Sequence, residues 1–305
     1  MKIQNLILSF FAVMMFAACN VIPEDDRLIE VELTPSDRTV LLVEFTGNRC
    51  VNCPGAAMVA HEMLEISPEN IVVVGMHPAG IVYTNPMDPN IDLSSAEAME
   101  YLTFYGGSQS TGLPVGVVNG RKFDETYLQG SSKWTAQVFA QREIAPNCLI
   151  DLAHSAEGGS HIVKATLKPQ NNIESASLLF WLVENNIVGP QSIDGTLVDA
   201  YKNANPNAEI GHGTVSNYVH NHVFRGCLNG FWGEELGELS AVSDEPTVEV
   251  VDLPTKSCTF SIDEKYVADN CSVVAVLIDT NTKEVFQVAK VINNVDYQSV
   301  IISFS

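Results

Sequence analysis

Residues 39–54 read TVLLVEFTGNRCVNCP, and this stretch decides the fold of the first half of the chain. Its first seven residues are almost all apolar or β-branched, which is typical of a buried strand. A short loop leads to the Cys-x-x-Cys motif of Cys50 and Cys53, and from Ala56 onward apolar residues recur at helical spacing. Residues 71–76 predict a second buried strand, so the order is strand, helix, strand, which indicates a parallel sheet.

The rest of the first half continues this alternation. We predict a helix from Ser94 to Tyr105, a strand directly after Pro114, and a helix over 131–144 that begins with a serine cap. His77 follows the second strand, at the edge of the sheet where α/β sites usually form. We favour a satisfied loop histidine over a site residue at this position.

The spacing of Cys50 and Cys53 fits metal sites and redox sites alike. Zinc would need a second ligand pair, and the sequence contains neither another Cys-x-x-Cys nor a His-x-x-x-His. We therefore predict no metal and no cofactor. Two interpretations stay open: a redox-active pair, or a permanently oxidised disulfide that only staples the turn.

Residues 44–50 (EFTGNRC) and Pro114 resemble two signatures of the thioredoxin superfamily, the strand that leads into its Cys-x-x-Cys motif and its cis-proline. The resemblance implies that Glu44 is a buried acid that assists proton transfer and that Pro114 lies beside a bound peptide. Two residue types depart from the family pattern. Arg49 replaces the usual tryptophan, and the dipeptide between the cysteines is not a well-known one, so the redox direction stays open.

The position of Cys50 before the predicted helix suggests a mechanism. Unpaired N–H groups and the helix dipole at a helix N-terminus favour a thiolate, and Arg49 would lower the pKa of the Cys50 thiol further. Cys50 would then attack a substrate disulfide, and the more buried Cys53 would resolve the mixed disulfide. Envelope proteins or peptides would be the substrates.

From about residue 148 the pattern changes to short strands separated by turn residues. The predicted strands are 148–154, 161–168, 176–184, 218–225, 248–252, 258–262, 272–279 and 285–292. Regular strands with polar turns favour an antiparallel sandwich of the immunoglobulin-like type. The predicted fold class is therefore α/β plus all-β, with a thioredoxin-like domain over 39–147 and an antiparallel β-sandwich domain over 148–305.

His220 and His222 would share one face of the predicted strand 218–225, which is half of a metal site. Only His212 is near as a third ligand, and there is no adjacent carboxylate. We therefore favour a structural or interface role for the two histidines.

Four cysteines of the second half are candidates for structural disulfides: Cys148, Cys227, Cys258 and Cys271. They allow three pairings. Cys258 and Cys271 flank a predicted hairpin, which favours that bridge over the other pairings.

The N-terminus predicts export. The apolar run from Leu6 to Ala18 suits a signal peptide over 1–18, and Cys19 after two alanines resembles the bacterial lipobox, which implies lipidation of Cys19. Residues 19–38 are polar and acidic. Within them, Glu24, Asp25 and Asp26 resemble the acidic surface-export signals of Bacteroidetes lipoproteins, and a plain solvated linker is an equal alternative.

The chain as a whole resembles the Omp-twenty-eight family of Bacteroidetes outer-membrane lipoproteins. The residues that carry this resemblance are the Cys-x-x-Cys motif together with 44–47 (EFTG), 182–185 (LVEN), 187–190 (IVGP) and 220–225 (HNHVFR). It implies a two-domain envelope protein that its lipid anchors to the outer membrane.

Charge excludes one class of partner. The 305 residues include 16 basic and 37 acidic side chains, a formal net charge of −21, whereas nucleic-acid binders need clustered basic residues. The leading functional prediction is a thiol–disulfide oxidoreductase that acts on envelope proteins. The alternative is a non-enzymatic outer-membrane or surface lipoprotein, a binding module or adhesin, that keeps a thioredoxin-like scaffold.

Overall fold

The computed structural model describes residues 37–242 and 253–292. The predicted signal peptide, the lipidation site Cys19 and nearly all of the acidic tether lie outside the described residues, as does the predicted strand 248–252. None of the helices in the described ranges is long and apolar enough to cross a membrane.

The described chain is a mixed α/β structure that consists mostly of strands. The strands are β1 (Val40–Phe45), β2 (Ile71–Met76), β3 (Val115–Val118), β4 (Cys148–Glu157), β5 (Ser160–Pro169), β6 (Ile173–Glu184), β7 (Ile187–Ser192), β8 (Ile210–Gly211), β9 (Thr214–His220), β10 (Val223–Cys227), β11 (Glu234–Leu239), β12 (Thr255–Phe260), β13 (Cys271–Asp279) and β14 (Val285–Ile292). The helices are α1 (Cys53–Ile66), α2 (Ala96–Phe104), α3 (Ser131–Arg142) and α4 (Val198–Ala204).

The helix starts have different local causes. Pro54 stands in the first turn of α1, where its missing N–H costs no hydrogen bond. The Ser95 side chain caps α2 by accepting a hydrogen bond from the Ala98 N–H. The predicted serine cap of the third helix is wrong, because Ser131 is already helical and Gly130 precedes it without a side-chain cap.

One large sheet contains strands from both halves of the sequence, in the order β14-β13-β6-β10-β2-β1-β3, with β11 paired to β6. β1 and β2 are parallel, as the strand–helix–strand order predicts. β10 joins the halves by pairing parallel to β2 on one side and antiparallel to β6 on the other. All of the described residues belong to one compact unit. The domain division at 147/148 stays a prediction.

Alternate residues of the large sheet enter different apolar cores, because successive side chains of a strand point to opposite faces. In β6, Leu179 and Trp181 pack in the core that α2 covers. Leu178 and Phe180 pack in a second core, against the three-stranded sheet β12-β5-β4. In β1, the residues that point away from the α2 core pack against α1 and α3.

The second half therefore contains two antiparallel layers, and a third small sheet, β7-β9-β8, lies outside them. Six of the eight strands predicted for this half coincide with described strands, 248–252 lies outside the described residues, and 218–225 is two strands. The backbone breaks between β9 and β10, where His222 adopts a positive φ of 59°. The thioredoxin-like and immunoglobulin-like assignments stay predictions.

Gly116 provides a test of the packing between β3 and α3. A Cβ at this residue would lie 2.6 Å from the ring of Trp134, which is fully buried and donates its indole N–H to the Gln129 carbonyl. The Trp134 ring is buried and hydrogen-bonded, so it cannot easily move away from an added methyl group. We therefore expect Gly116→Ala to lower the free energy of unfolding by about 1–3 kcal/mol. Urea unfolding measures the effect.

The matched control is Gly112→Ala, because a Cβ at Gly112 would have no heavy atom within 4 Å. We expect a change of less than about 0.5 kcal/mol for this control. Equal destabilisation by both substitutions would show that the Trp134 contact does not limit the packing.

Candidate functional site

The two cysteines of the Cys-x-x-Cys motif form a disulfide with a Cα–Cα distance of 5.4 Å. Asn52 is the N-cap residue of α1 and Cys53 is its first residue, so Cys50 precedes the helix by three residues. Both cysteines are 2% exposed, so Cys53 is no more buried than Cys50. The attacking and resolving roles predicted for them stay predictions.

A segment of the second half covers this disulfide. The side-chain amide of the buried Gln191, on β7, lies 3.0 Å from the Cys50 carbonyl oxygen and 3.2 Å from that of Gly47. A backbone hydrogen bond also connects β7 to the loop that carries Cys50, because the Ser192 N–H donates to the Asn48 carbonyl at 2.8 Å. Strand β7 is thus hydrogen-bonded to this loop, and both cysteines are buried.

Arg49 holds a neighbouring loop. Its guanidinium donates to the carbonyl oxygens of Asn85 and Pro86 at 2.9 and 2.8 Å, and its backbone N–H donates to the Tyr83 carbonyl at 2.8 Å. The loop approaches so closely that a Cβ at Gly47 would lie 2.5 Å from the Tyr83 carbonyl oxygen, which explains the glycine. The role predicted for Arg49 in lowering the Cys50 pKa stays a prediction.

Pro114 follows a cis peptide bond with Leu113, as the thioredoxin resemblance implies. Leu113 packs in the same apolar core as Cys50 and Cys53. The structure therefore brings the disulfide and the segment before β3 to one region of the fold.

Glu44 is buried at 5% exposure near the end of β1. Burial raises the pKa of its carboxyl group to about 7, although a hydrogen bond with Thr46 opposes the shift. Its Oε1 atom has no hydrogen-bond partner among the described residues. Glu44 lines a cavity of about 580 Å³ between the large sheet, α1, α4 and β9, and Cys53 lines the same cavity while Cys50 does not.

Four histidines line this cavity as well: His61, which is exposed on α1, and three others, His77, His220 and His222. His77 and His220 are buried with their ring centroids 6.2 Å apart. His222 follows the end of β9, so His220 and His222 do not share a strand face as predicted. Burial lowers the pKa of these last three imidazoles: that of His77 falls well below its usual value, that of His220 falls to about 4 and that of His222 to about 3. All three are neutral at pH 7.

Two tyrosines complete the wall beside these histidines. The ring centroid of Tyr218 lies 4.7 Å from that of His220 and 5.6 Å from that of Tyr201 on α4. Burial raises the pKa of the Tyr218 hydroxyl, and the nearby Glu44 charge raises it further. The sequence contained no motif that marks Gln191, Tyr201 or Tyr218, because their roles arise from contacts between distant segments.

The described residues contain no group of three or more His, Cys, Asp and Glu side chains placed to hold a metal ion. The histidines and Glu44 share a cavity but do not converge on one point. The arrangement is suited to binding a molecule that fills the cavity and meets its separate polar groups.

The four cysteines of the second half are free thiols in the structure: Cys148, Cys227, Cys258 and Cys271. The favoured Cys258–Cys271 bridge is not formed, because Cys258 lies on β12 in the three-stranded sheet whereas Cys271 begins β13 in the large sheet. Burial raises the pKa of the Cys148, Cys227 and Cys271 thiols to about 12, which makes them poor nucleophiles.

The buried carboxyl of Glu44 predicts a specific pH dependence of stability. Its pKa is about 7 in the folded chain against an ordinary 4.5, so its contribution to stability is full below about pH 4.5 and is lost as the pH rises to about 7. We expect Glu44→Gln to raise the free energy of unfolding by up to about 3 kcal/mol near pH 8 and to have little effect near pH 4. Urea unfolding at both values measures this difference.

The control is Glu69→Gln, which changes the same charge at an exposed position. Its effect should be small at both pH values. A Glu44→Gln effect that does not change with pH would contradict the raised carboxyl pKa.

Comparisons with known proteins identify the family. A crystal structure of a domain of the outer membrane lipoprotein Omp28 from Porphyromonas gingivalis is 21% identical, covering 49% of this chain and 89% of that one with a TM-score of 0.29. A crystal structure of a protein from Agrobacterium tumefaciens is 12% identical, covering 84% of this chain and 94% of that one with a TM-score of 0.45. No curated protein matches the chain. The sequence profile described as Outer membrane protein Omp28 matches residues 101–297, more than half of the sequence, and the chain therefore belongs to the Omp28 family.

Proposed function

We propose that this protein is a lipoprotein of the outer membrane that acts by binding, and that its Cys50–Cys53 disulfide is a structural clamp. The observation that carries the proposal is the burial of both cysteines to 2% exposure under Gln191 and β7. Membership of a family of outer-membrane proteins supports the location. Anchoring through lipid on Cys19 is part of the proposal.

Access to the disulfide is the main argument for a clamp. In thiol–disulfide exchange, the attacking thiolate must reach a sulfur atom directly. The predicted nucleophile Cys50 does not line the cavity, and its carbonyl accepts a hydrogen bond from the Gln191 side chain. The Asp194 N–H also donates to the Val51 carbonyl at 2.9 Å, so backbone hydrogen bonds hold the cover on both sides of Cys50.

A second candidate is a thioredoxin-like thiol–disulfide oxidoreductase that acts on envelope proteins or peptides. The observation in its favour is that Glu44 and Cys53 line one cavity, because a buried carboxyl group with a pKa of about 7 is suited to exchange a proton with a sulfur nearby. This function requires β7 to move away from Cys50, and it makes Pro114 and Arg49 the residues that meet the substrate.

An insulin-reduction assay with dithiothreitol separates the two functions. We expect wild-type protein to reduce insulin no faster than dithiothreitol alone and no faster than Cys50→Ser, because the sulfurs are covered. Thiol alkylation followed by peptide mass spectrometry should find Cys50 and Cys53 oxidised in the native protein and labelled only after unfolding and reduction of the disulfide. Turnover that Cys50→Ser abolishes would refute the clamp and establish the oxidoreductase.

The cover itself is testable through Gln191. Gln191→Ala removes the side-chain hydrogen bonds to the Gly47 and Cys50 carbonyls, so local opening should become easier. We expect dithiothreitol to reduce the native disulfide roughly tenfold faster, which matches the loss of one buried hydrogen bond. Gln170→Ala, which removes a glutamine hydrogen bond to the Lys168 carbonyl, is the matched control and should leave the rate unchanged. Equal rates in wild type and Gln191→Ala would mean that β7 does not limit access.

A further inference from the structure

The cavity beside α1 has an unusual balance of charge. Its lining includes the three carboxylates Glu44, Glu62 and Glu65, and among the described residues that line it none is lysine or arginine. Glu62 and Glu65 are exposed and stand on α1, whereas Glu44 lies on the sheet. The cavity therefore attracts positive charge and repels anions, in keeping with the chain's net charge of −21.

The inner end of the cavity holds polar atoms that the described chain leaves without hydrogen bonds. These are Oε1 of Glu44, Nδ1 of His77 and Nε2 of His220, each on a side chain that is at most 5% exposed. Burying such an atom without a partner costs about 1–3 kcal/mol, so native proteins rarely leave several together. Their grouping around one cavity indicates partners supplied by a bound molecule.

The nearest positive charges are already compensated or lie elsewhere. Arg225 forms a buried ion pair with Glu184 at 2.7 Å and covers the Tyr266 ring. Lys290 lines a neighbouring cavity that includes His222. Glu44 forms no ion pair with any described residue, so a cationic ligand would give its carboxylate the counter-charge that the protein does not provide.

We propose that this cavity binds a small organic amine in its ammonium form, with the ammonium group beside Glu44. Tyr201 and Tyr218 add aromatic surface to the lining, and Ala57 and Met58 of α1 offer an apolar wall for the carbon skeleton. A volume of about 580 Å³ is typical of small-molecule sites and much larger than a bare ion needs. The inference rests on the proposed binding function and names its ligand class.

The titratable groups around Glu44 fix the expected pH dependence. Those that line the same cavity are His61, Glu62 and Glu65 on α1, His77 after β2, Tyr201 on α4, Tyr218 and His220 on β9, and His222 after β9. The buried histidines are neutral and the tyrosines protonated near pH 7, so Glu44 is the group expected to change charge when an ammonium binds. Below pH 7 the bound ammonium should displace a proton from Glu44, and affinity should fall as the pH falls.

Isothermal titration calorimetry with benzylamine tests the proposal, with benzyl alcohol as the neutral probe of the same shape. We expect wild-type protein to bind benzylamine with a Kd below about 1 mM near pH 8 and to bind benzyl alcohol at least tenfold more weakly. Near pH 6, titrations in two buffers of different ionisation enthalpy should reveal release of a proton on binding.

Variants locate the site. Glu44→Gln should weaken benzylamine binding about 10- to 100-fold, as expected for one charge-assisted hydrogen bond, and abolish the proton release. Glu69→Gln, an equal charge change outside the cavity, should bind like wild type. Should Glu44→Gln fail to fold, Ala57→Phe fills part of the cavity from α1, leaves the Glu44 carboxyl group in the chain and should also abolish binding.

Three outcomes would overturn the proposal: no binding of benzylamine, equal affinity for the amine and the alcohol, or unchanged binding in both Glu44→Gln and Ala57→Phe. None of these outcomes depends on the insulin-reduction assay, so the proposed amine site and the proposed structural role of the disulfide can be refuted separately. An active oxidoreductase that binds benzylamine at Glu44 would refute the clamp and keep the amine site.

Discussion

The continuity of the large sheet depends on one short contact between distant parts of the chain. The Gly75 N–H of β2 donates to the His222 carbonyl at 2.7 Å, and Val223 of β10 pairs parallel to Gly75. Without this contact β2 would be an edge strand, with a row of unpaired backbone groups. With it, the sheet of β1 and β2 continues into β10 and β6, and the second half of the chain gains a fixed position against the first. His220 and His222 reach the cavity because this junction holds the turn between β9 and β10 beside β2.

The same contact illustrates why local strands and helices could be predicted from the sequence, whereas contacts between distant segments could not. The strand, Cys-x-x-Cys and helix around residues 39–66 were predictable because each element has its own periodicity and a proline stands in the first turn of α1. The split of 218–225 into two strands was not predicted, because Asn221 is the single turn-forming residue in a stretch rich in β-branched and aromatic residues. The left-handed backbone of His222 reveals the turn. The cover over Cys50 was equally hidden, since a glutamine on β7 belongs to no recognised motif. Glu44 was identified as a buried acid, but its neighbours across the cavity come from β9 and α4, which only tertiary structure brings near.

Burying Glu44, His77 and His220 around one cavity lowers the stability of the folded chain, and packing contacts alone do not compensate for this loss. Each group shifts its pKa toward the neutral form, which is how a protein avoids an isolated buried charge. An apolar residue of similar size at any of these positions would remove an unpaired polar atom and favour stability. Destabilising polar groups of this kind concentrate at functional sites, because the arrangement a ligand needs is not the one that makes the empty protein most stable. The cavity is therefore a better candidate for the functional site than the disulfide beside it.

The disulfide and the cavity are nevertheless linked through α1. Cys50 and Cys53 are separated by three positions in the sequence, so cross-linking them removes little chain entropy from the unfolded state: about 2 kcal/mol, against about 3 for a fifteen-residue loop. A bridge this short therefore acts chiefly on local geometry. It fixes the turn that leads into α1, and Ala57 and Met58 on the first turns of that helix form the apolar wall of the cavity. A buried Cys-x-x-Cys disulfide beside this cavity suits the proposed structural clamp. The α1 wall of the cavity keeps its position only while the turn that leads into α1 is fixed.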